Sequence, residues 1–316
     1  GEAETRFSHS GAATALAGRA AIVELGPLAL SEIGRRDAVD WGWVASARDA
    51  ATAVDRFTAK RSDRSVTERR VLRGGLPPAW LSKSLPAWND WMRGYQALYL
   101  ERDVNPMRRL ENPGEFLRMM QHVVLRSGRI LSVSDLARDA GIPVASAHVY
   151  LRLMEMSCQW HRLPAFHRNI GKRLVKAPKG VWNDSGVVAY FAGAATWSGA
   201  RANAPLGPIF ETWVIGEIRS ALGGRSVPWN IYHWRTHTGA EVDLVIEVGG
   251  HLLPIEVKAS TGVRREDARG IDAFLDLHAR ERSGGFSPPR FGVVVYAGDE
   301  NVILGPRCVA ISARAL

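Results

Sequence analysis

Apolar positions along this chain change their period from one stretch to the next, and the changes mark its elements. Over residues 41–110 they recur every three or four residues, as in Trp88, Trp91, Tyr95, Leu98 and Tyr99 of "PAWNDWMRGYQALYLERDV". That spacing predicts helices with a buried aromatic stripe. "RGGLPPAW" (73–80) interrupts them and reads as a loop on its Gly and Pro content. "PGEFLRMMQHVVLRSG" predicts a further helix stopped at Gly128. "SVSDLARDAGIPVASAHVYLRLME" then predicts a helix, a turn at Gly141, and a second helix over about 143–156. Three helices with glycine in the tight turn are the pattern of helix-turn-helix and winged-helix units. Near the start, "AAIVELGPLAL" (20–30) reads as one buried strand and a turn at Gly26-Pro27.

The period changes again beyond the small-residue passage "GAATWSGARANAPLGP" (193–208), which reads as a separator. "PLGPIFETWVIGEIRSAL" is apolar nearly all round, the mark of a buried helix. "NIYHWR" reads as a strand, "EVDLVIEVGGHLLPIEVK" (241–258) as a hairpin, "REDARGIDAFLDLHAR" as an amphipathic helix and "RFGVVVYAG" as a buried strand. The order predicts an α/β sandwich with a mixed sheet. The expected fold class is therefore mixed α/β and α: a helical, winged-helix-like module followed by an α/β sandwich. The expected divisions are 1–40, a helical lid or linker over 41–112, the winged-helix-like module over 113–192, and the sandwich over 193–316.

Composition narrows the partners. The 316 residues are 46% apolar and 23% charged, which suits globular domains with real cores and excludes a disordered chain. Lys plus Arg number 41 against 32 Asp plus Glu, a formal charge of +9 that favours nucleic acid, DNA foremost, over small acidic metabolites. Cys158 and Cys308 cannot build a disulfide framework, so a reducing cytoplasm is expected. No apolar run is long enough to span a membrane and the first residues lack a signal-peptide core, so no membrane partner is expected. On the helix over 143–156, Ser146, His148 and Arg152 face solvent, where they serve either DNA contact or packing. "HRNIGKRLVKAPK" (167–179) offers Arg168, Lys172, Arg173, Lys176 and Lys179 as a phosphate-touching wing or a solvated basic face.

The hairpin carries the candidate chemistry. Pairing across Gly249-Gly250 sets Asp243 opposite Glu256 and Glu241 opposite Lys258, all four on one face. Val242, Leu244, Ile246, Leu253, Ile255 and Val257 form the opposite, apolar face. Opposed like charges destabilise a sheet, so Asp243 with Glu256 predicts a divalent cation. Mg²⁺ suits it, needing one or two carboxylates and several waters. Lys258 would orient the attacking water or offset charge on a phosphate. The rival is a solvated hairpin in which Glu241–Lys258 is a weak surface pair. A third acid must come from the buried helix, Glu211 first and Glu217 second. His233, His237 and His251 read as core or surface histidines, Asp184 as a cap, and Cys158, His161 and His167 as too loose for zinc. No G-x-x-x-x-G-K-[ST] is present, so ATP hydrolysis is not expected.

Asp243, then Glu256-x-Lys258, preceded by a helix bearing Glu211, resembles the PD-(D/E)XK nuclease superfamily. The resemblance implies Mg²⁺ ligation by Asp243 and Glu256, with Glu211 completing the shell, and attack on a phosphodiester assisted by Lys258. The ordered segments "LAGRAAIVELGPLALSEI", "RGGLPPAW", "YLERDV", "KRLVKAPKGVWNDSG", "FETWVIGEI" and "GAEVDLVIE…PIEVKAS" resemble something narrower. They are similar to the C-terminal domain of unknown function that follows an AAA-type ATPase module in many bacterial and archaeal proteins. That likeness implies that 1–40 is a remnant of an ATPase-core strand region and that an ATPase module is the partner. The expected activity is Mg²⁺-dependent phosphodiester hydrolysis in DNA. The alternative is a non-catalytic DNA-binding or protein-interaction module on a vestigial nuclease fold.

Overall fold

Polar side chains take the free N–H groups of several helix starts, which fixes where those helices begin. The computed structural model describes residues 25–57, 61–107, 110–169, 176–202, 205–224, 226–279 and 287–316. Helix α1 is Arg64–Arg73. Helix α2 (Leu85–Leu98) starts at Ser84, whose hydroxyl accepts from Ala87 N at 3.3 Å. Helix α3 (Pro113–Leu125) starts at Asn112, which accepts from Glu115 N at 3.2 Å. A two-residue strand, β1 (Arg129–Ile130), leads to α4 (Val133–Ala140), which ends on Gly141 at φ 65° before α5 (Val144–Met156). The left-handed turn needs that glycine. Strands β2 (Trp160–Leu163) and β3 (Lys179–Trp182) complete an antiparallel sheet in the order β1-β3-β2. The predicted helix-turn-helix is thus present, with a small sheet beside it.

Two stretches read as breaks are structured. From the prolines of "RGGLPPAW", Pro77–Leu81 forms a short helix with proline in its first positions, where the missing N–H costs nothing. Within the small-residue passage, Trp197–Ala202 is helical, and Trp197 meets Phe210 edge-on at 6.3 Å. The strand expected over 20–30 lies outside the described residues as far as Glu24. Beyond it, Leu30–Ile33 is one helical turn.

Helix α6 (Ser185–Phe191) is capped by Asp184, which accepts from Val187 N at 3.1 Å. The long helix α7 (Leu206–Gly223) buries Ile209, Phe210, Trp213, Ile215, Ile218 and Leu222. Beyond it come β4 (Trp229–Arg235), β5 (Glu241–Val248), β6 (His251–Lys258), α8 (Arg269–His278), β7 (Gly292–Tyr296), β8 (Val302–Gly305) and β9 (Cys308–Ser312). The six strands form one mixed sheet in the order β4-β5-β6-β7-β9-β8. β6, β7 and β9 run parallel in its middle. Helix α7 packs on one face and α8 on the other. The mixed α/β class is as expected, and the hydrophobic core is continuous from Leu30 through the helices and the small sheet to Leu316.

A buried polar network ties α1 to α7. Arg70 Nη2 lies 3.2 Å from Glu217 Oε1, with both side chains about 95% covered. Leu30 N donates to Glu217 Oε2 at 2.7 Å, and Arg70 Nε donates to the Leu28 carbonyl at 2.7 Å. Burial pushes the Glu217 carboxyl up, and Arg70 and the Leu30 amide pull it down. Glu217, the second-choice ligand, is thereby committed to the core. Removing one partner of such a pair strands the other charge, so Glu217→Ala is expected to cost about 3–5 kcal/mol in urea unfolding.

Candidate functional site

Three carboxylates and two ammonium groups meet where the hairpin, α7 and the small sheet adjoin. The hairpin keeps its predicted register from Val248↔His251 to Leu244↔Ile255. Beyond Leu244 the ladder stops. The β4–β5 pairing shifts register between Tyr232 and Trp234, and Val242 packs with Val245 and Phe274 on the α8 side. Leu244 and Ile246 remain with the core on the α7 side. The predicted single apolar face therefore breaks at Asp243, because a register shift re-aims the side chains around it. Asp243 is not cross-strand partner to Glu256: its Oδ2 accepts from the Val257 amide at 2.9 Å, replacing a ladder carbonyl.

The lysines are placed differently from expectation. Lys258 Nζ donates to Glu256 Oε1 on its own strand at 2.9 Å. Glu241 is exposed and faces Arg235 at 3.9 Å, so the expected Glu241–Lys258 pair is replaced. Lys179, read as part of a basic phosphate-binding stretch, is buried. Its Nζ donates to Glu211 Oε1 at 3.0 Å and to Asp243 Oδ1 at 3.3 Å. No local signal marks it, since its partners lie 32 and 64 residues away.

Burial, then the Asp243 charge, pushes the Glu211 and Glu256 carboxyls up to about 7, against the pull of Lys179 and Lys258. Burial works against the Lys179 and Lys258 ammonium groups, but their carboxylate partners outweigh it and raise both. Glu256 Oε2 is buried and has no hydrogen-bond partner among the described residues. Glycine is required at two approaches. A Cβ at Gly128, where φ is 81°, would come within 2.8 Å of Glu211 Oε2. One at Gly270, in α8, would meet the Glu241 carbonyl oxygen at 1.9 Å.

The remaining candidates scatter. Arg168 donates to the His278 carbonyl at 3.3 Å at the end of α8, a helix-capping contact. Arg152 and Lys176 are exposed, as is His148. Lys172 and Arg173 lie outside the described residues. His233 is a core histidine, lowered to about 4 by burial and by the Lys179 charge, and its Nε2 lies 3.2 Å from the Ala177 carbonyl. Cys158 and His161 gather no zinc site: among the described residues no three His, Cys, Asp or Glu side chains are grouped to hold a metal.

Comparison with known proteins gives two family matches and two relatives. Residues 64–198 match a domain of unknown function, DUF8612, and residues 206–316 match another, DUF4143. Two uncharacterized proteins, one from Mycobacterium bovis and one from Mycobacterium tuberculosis, are each 27% identical over 307 residues. The match takes in 96% of this chain, which spans 58% of the relatives' length. No solved structure matches the chain.

Carboxyls held near 7 carry protons in the folded state that the unfolded chain has already lost. Their contribution to stability is greatest below the ordinary carboxyl value of 4.5 and falls as pH rises through about 7. Glu211→Gln removes one such group. Relative to wild type it should gain about 1–3 kcal/mol between about pH 5 and about pH 8, read by denaturant unfolding at each pH.

Proposed function

We propose that this chain is the nucleic-acid-directed part of a longer prokaryotic, ATPase-associated protein, and that its acid–lysine cluster hydrolyses phosphodiester bonds in DNA with Mg²⁺. The observation that carries the reading is the charge balance of the cluster. Once Glu211 and Glu256 are ionised, three carboxylates against two ammonium groups leave one negative charge, and among the described residues Glu256 Oε2 has no hydrogen-bond partner. A further cation fits those residues. Mg²⁺ keeps several waters and uses one or two carboxylates, so it asks for less than a ready-made cage of three side chains. Asp243 and Glu256 would hold it, with Glu211 beside its waters. Bound there, Mg²⁺ would polarise the scissile phosphate and lower the pKa of a water.

The chain's own groups supply the rest. Lys258, kept protonated by Glu256, donates to the attacking water or to a non-bridging phosphate oxygen and offsets the charge that develops there. Glu211, held up to about 7, takes the proton released by the water near neutral pH. The water oxygen bonds to phosphorus as the bond to the leaving ester oxygen breaks, and that oxygen, released as an alkoxide, takes a proton from solvent water. Exposed Arg152 and Lys176 and the charge of +9 favour a polyanionic substrate. The greater length of the mycobacterial relatives and the likeness to ATPase-associated chains support an AAA-type ATPase module as partner.

Purified chain incubated with plasmid or oligonucleotide DNA and Mg²⁺ or Mn²⁺ is expected to cut it. Asp243→Ala and Lys258→Ala should each lower the rate about 100-fold or more. DNA left intact by wild type, or cut by both variants as fast as by wild type, would defeat the hydrolytic reading in favour of the non-catalytic module.

A further inference from the structure

We propose that Lys179 is a resident cation: supplied by the winged-helix-like unit, its ammonium fills the place between Glu211 and Asp243 that a divalent ion would otherwise take. Its catalytic consequence rests on the hydrolytic reading, but its electrostatic role does not. The Lys179 side chain is 10% exposed, and its two acceptors come from α7 and β5. An unpaired ammonium at that depth would carry an uncompensated desolvation penalty, and two unpaired carboxylates facing each other would carry a larger one. Each side therefore requires the other.

The ammonium is delivered by a fastened strand, so its position is built into the backbone. Lys179 opens β3 and is paired on both sides, to Ile130 of β1 and to Leu163 of β2. The segments flanking the β2–β3 connection are tied to the edge strand β4. His233 N donates to the Pro164 carbonyl at 3.0 Å, Phe166 N donates to the His233 carbonyl at 2.6 Å, and the His233 ring lies against Ala177. On the α7 side, Ser127 Oγ lies 2.7 Å from Thr212 Oγ1, one residue from Glu211, and accepts from Trp182 N at 2.9 Å. His233 stays neutral and adds no second charge beside the ammonium.

Two consequences follow for the site. Asp243 has both oxygens engaged, by Lys179 and by the Val257 amide, and Glu211 has one oxygen engaged. Among the described residues the unpartnered oxygen is on Glu256, so an added cation enters from the Glu256 side, where each Asp243 oxygen still has a second lone pair to lend it. The winged-helix-like unit also completes the electrostatics of the acid site. Undocking it would leave Glu211 and Asp243 without their shared counter-charge.

The test measures metal binding and lysine reactivity in the full chain. Lys179→Gln empties the position, so its Mn²⁺ affinity by titration calorimetry should rise about tenfold or more over wild type. Added Mn²⁺ should also raise its melting temperature more than it raises that of wild type. Lys179→Arg keeps a cation and should retain the wild-type affinity. A Lys179→Gln affinity equal to wild type overturns the proposal. If that variant does not fold, the wild type answers alone, by acylation with a lysine-directed reagent and mass spectrometry. Lys179 should stay unmodified with and without saturating Mn²⁺ while the exposed Lys176 reacts; modification of Lys179 at the rate of Lys176 overturns it. A wild type that cuts no DNA, alongside a Lys179→Gln chain that binds Mn²⁺ more tightly, would defeat the hydrolytic reading and leave the resident cation standing.

Discussion

Helix α7 carries two carboxylates into the interior, and the fold is arranged around giving each a cation. Glu217 receives Arg70 from the helical part, and Glu211 receives Lys179 from the small sheet. Six residues apart on a helix, the two project about 120° from each other. The partners must therefore approach from different sides. Burying either acid unpaired would cost several kcal/mol against a net stability of only about 5–15 kcal/mol, so the docking of both units around α7 is not optional. The continuous apolar core supplies the driving force for collapse, and these ion pairs select the arrangement in which collapse is tolerable.

The same constraint shapes the hairpin. A regular ladder would leave Asp243 directly against Glu256, with like charges in contact. Instead the ladder ends at Leu244↔Ile255, and the Asp243 carboxylate takes both the Val257 amide and the Lys179 ammonium. The register shift beside it moves Val242 to the other face of the sheet. One backbone irregularity thus converts a repulsive pair into an acceptor for two donors. Gly128 is part of the same arrangement, since only a residue without a side chain leaves room for the Glu211 carboxylate.

The part of the site that depends on local pattern was legible. Glycine at 249 and 250 set the hairpin register over its first half, and the all-round apolar pattern of α7 marked its buried acids as needing partners. The helix-turn-helix was readable because Gly141 and the apolar spacing on either side act within a few residues. Asp184 was readable as a cap for the same reason. A charge run need not be a surface: Lys179 ends a basic stretch yet lies buried, and Arg168 caps a helix 110 residues away in sequence.

The sequence by itself determined the elements, the mixed α/β class, and which acids stand on the hairpin and the buried helix. Periodicity, capping and turn chemistry act over a few residues, so they survive the loss of three-dimensional context. Only the tertiary structure decided which cation each acid would own, and so the electrostatic state of the site. Glu211 and Asp243 share Lys179, Glu256 holds Lys258, and Glu217 holds Arg70. Coulombic partners are chosen by distance after folding, and nothing in the linear order of residues encodes a contact made across 32, 64 or more positions.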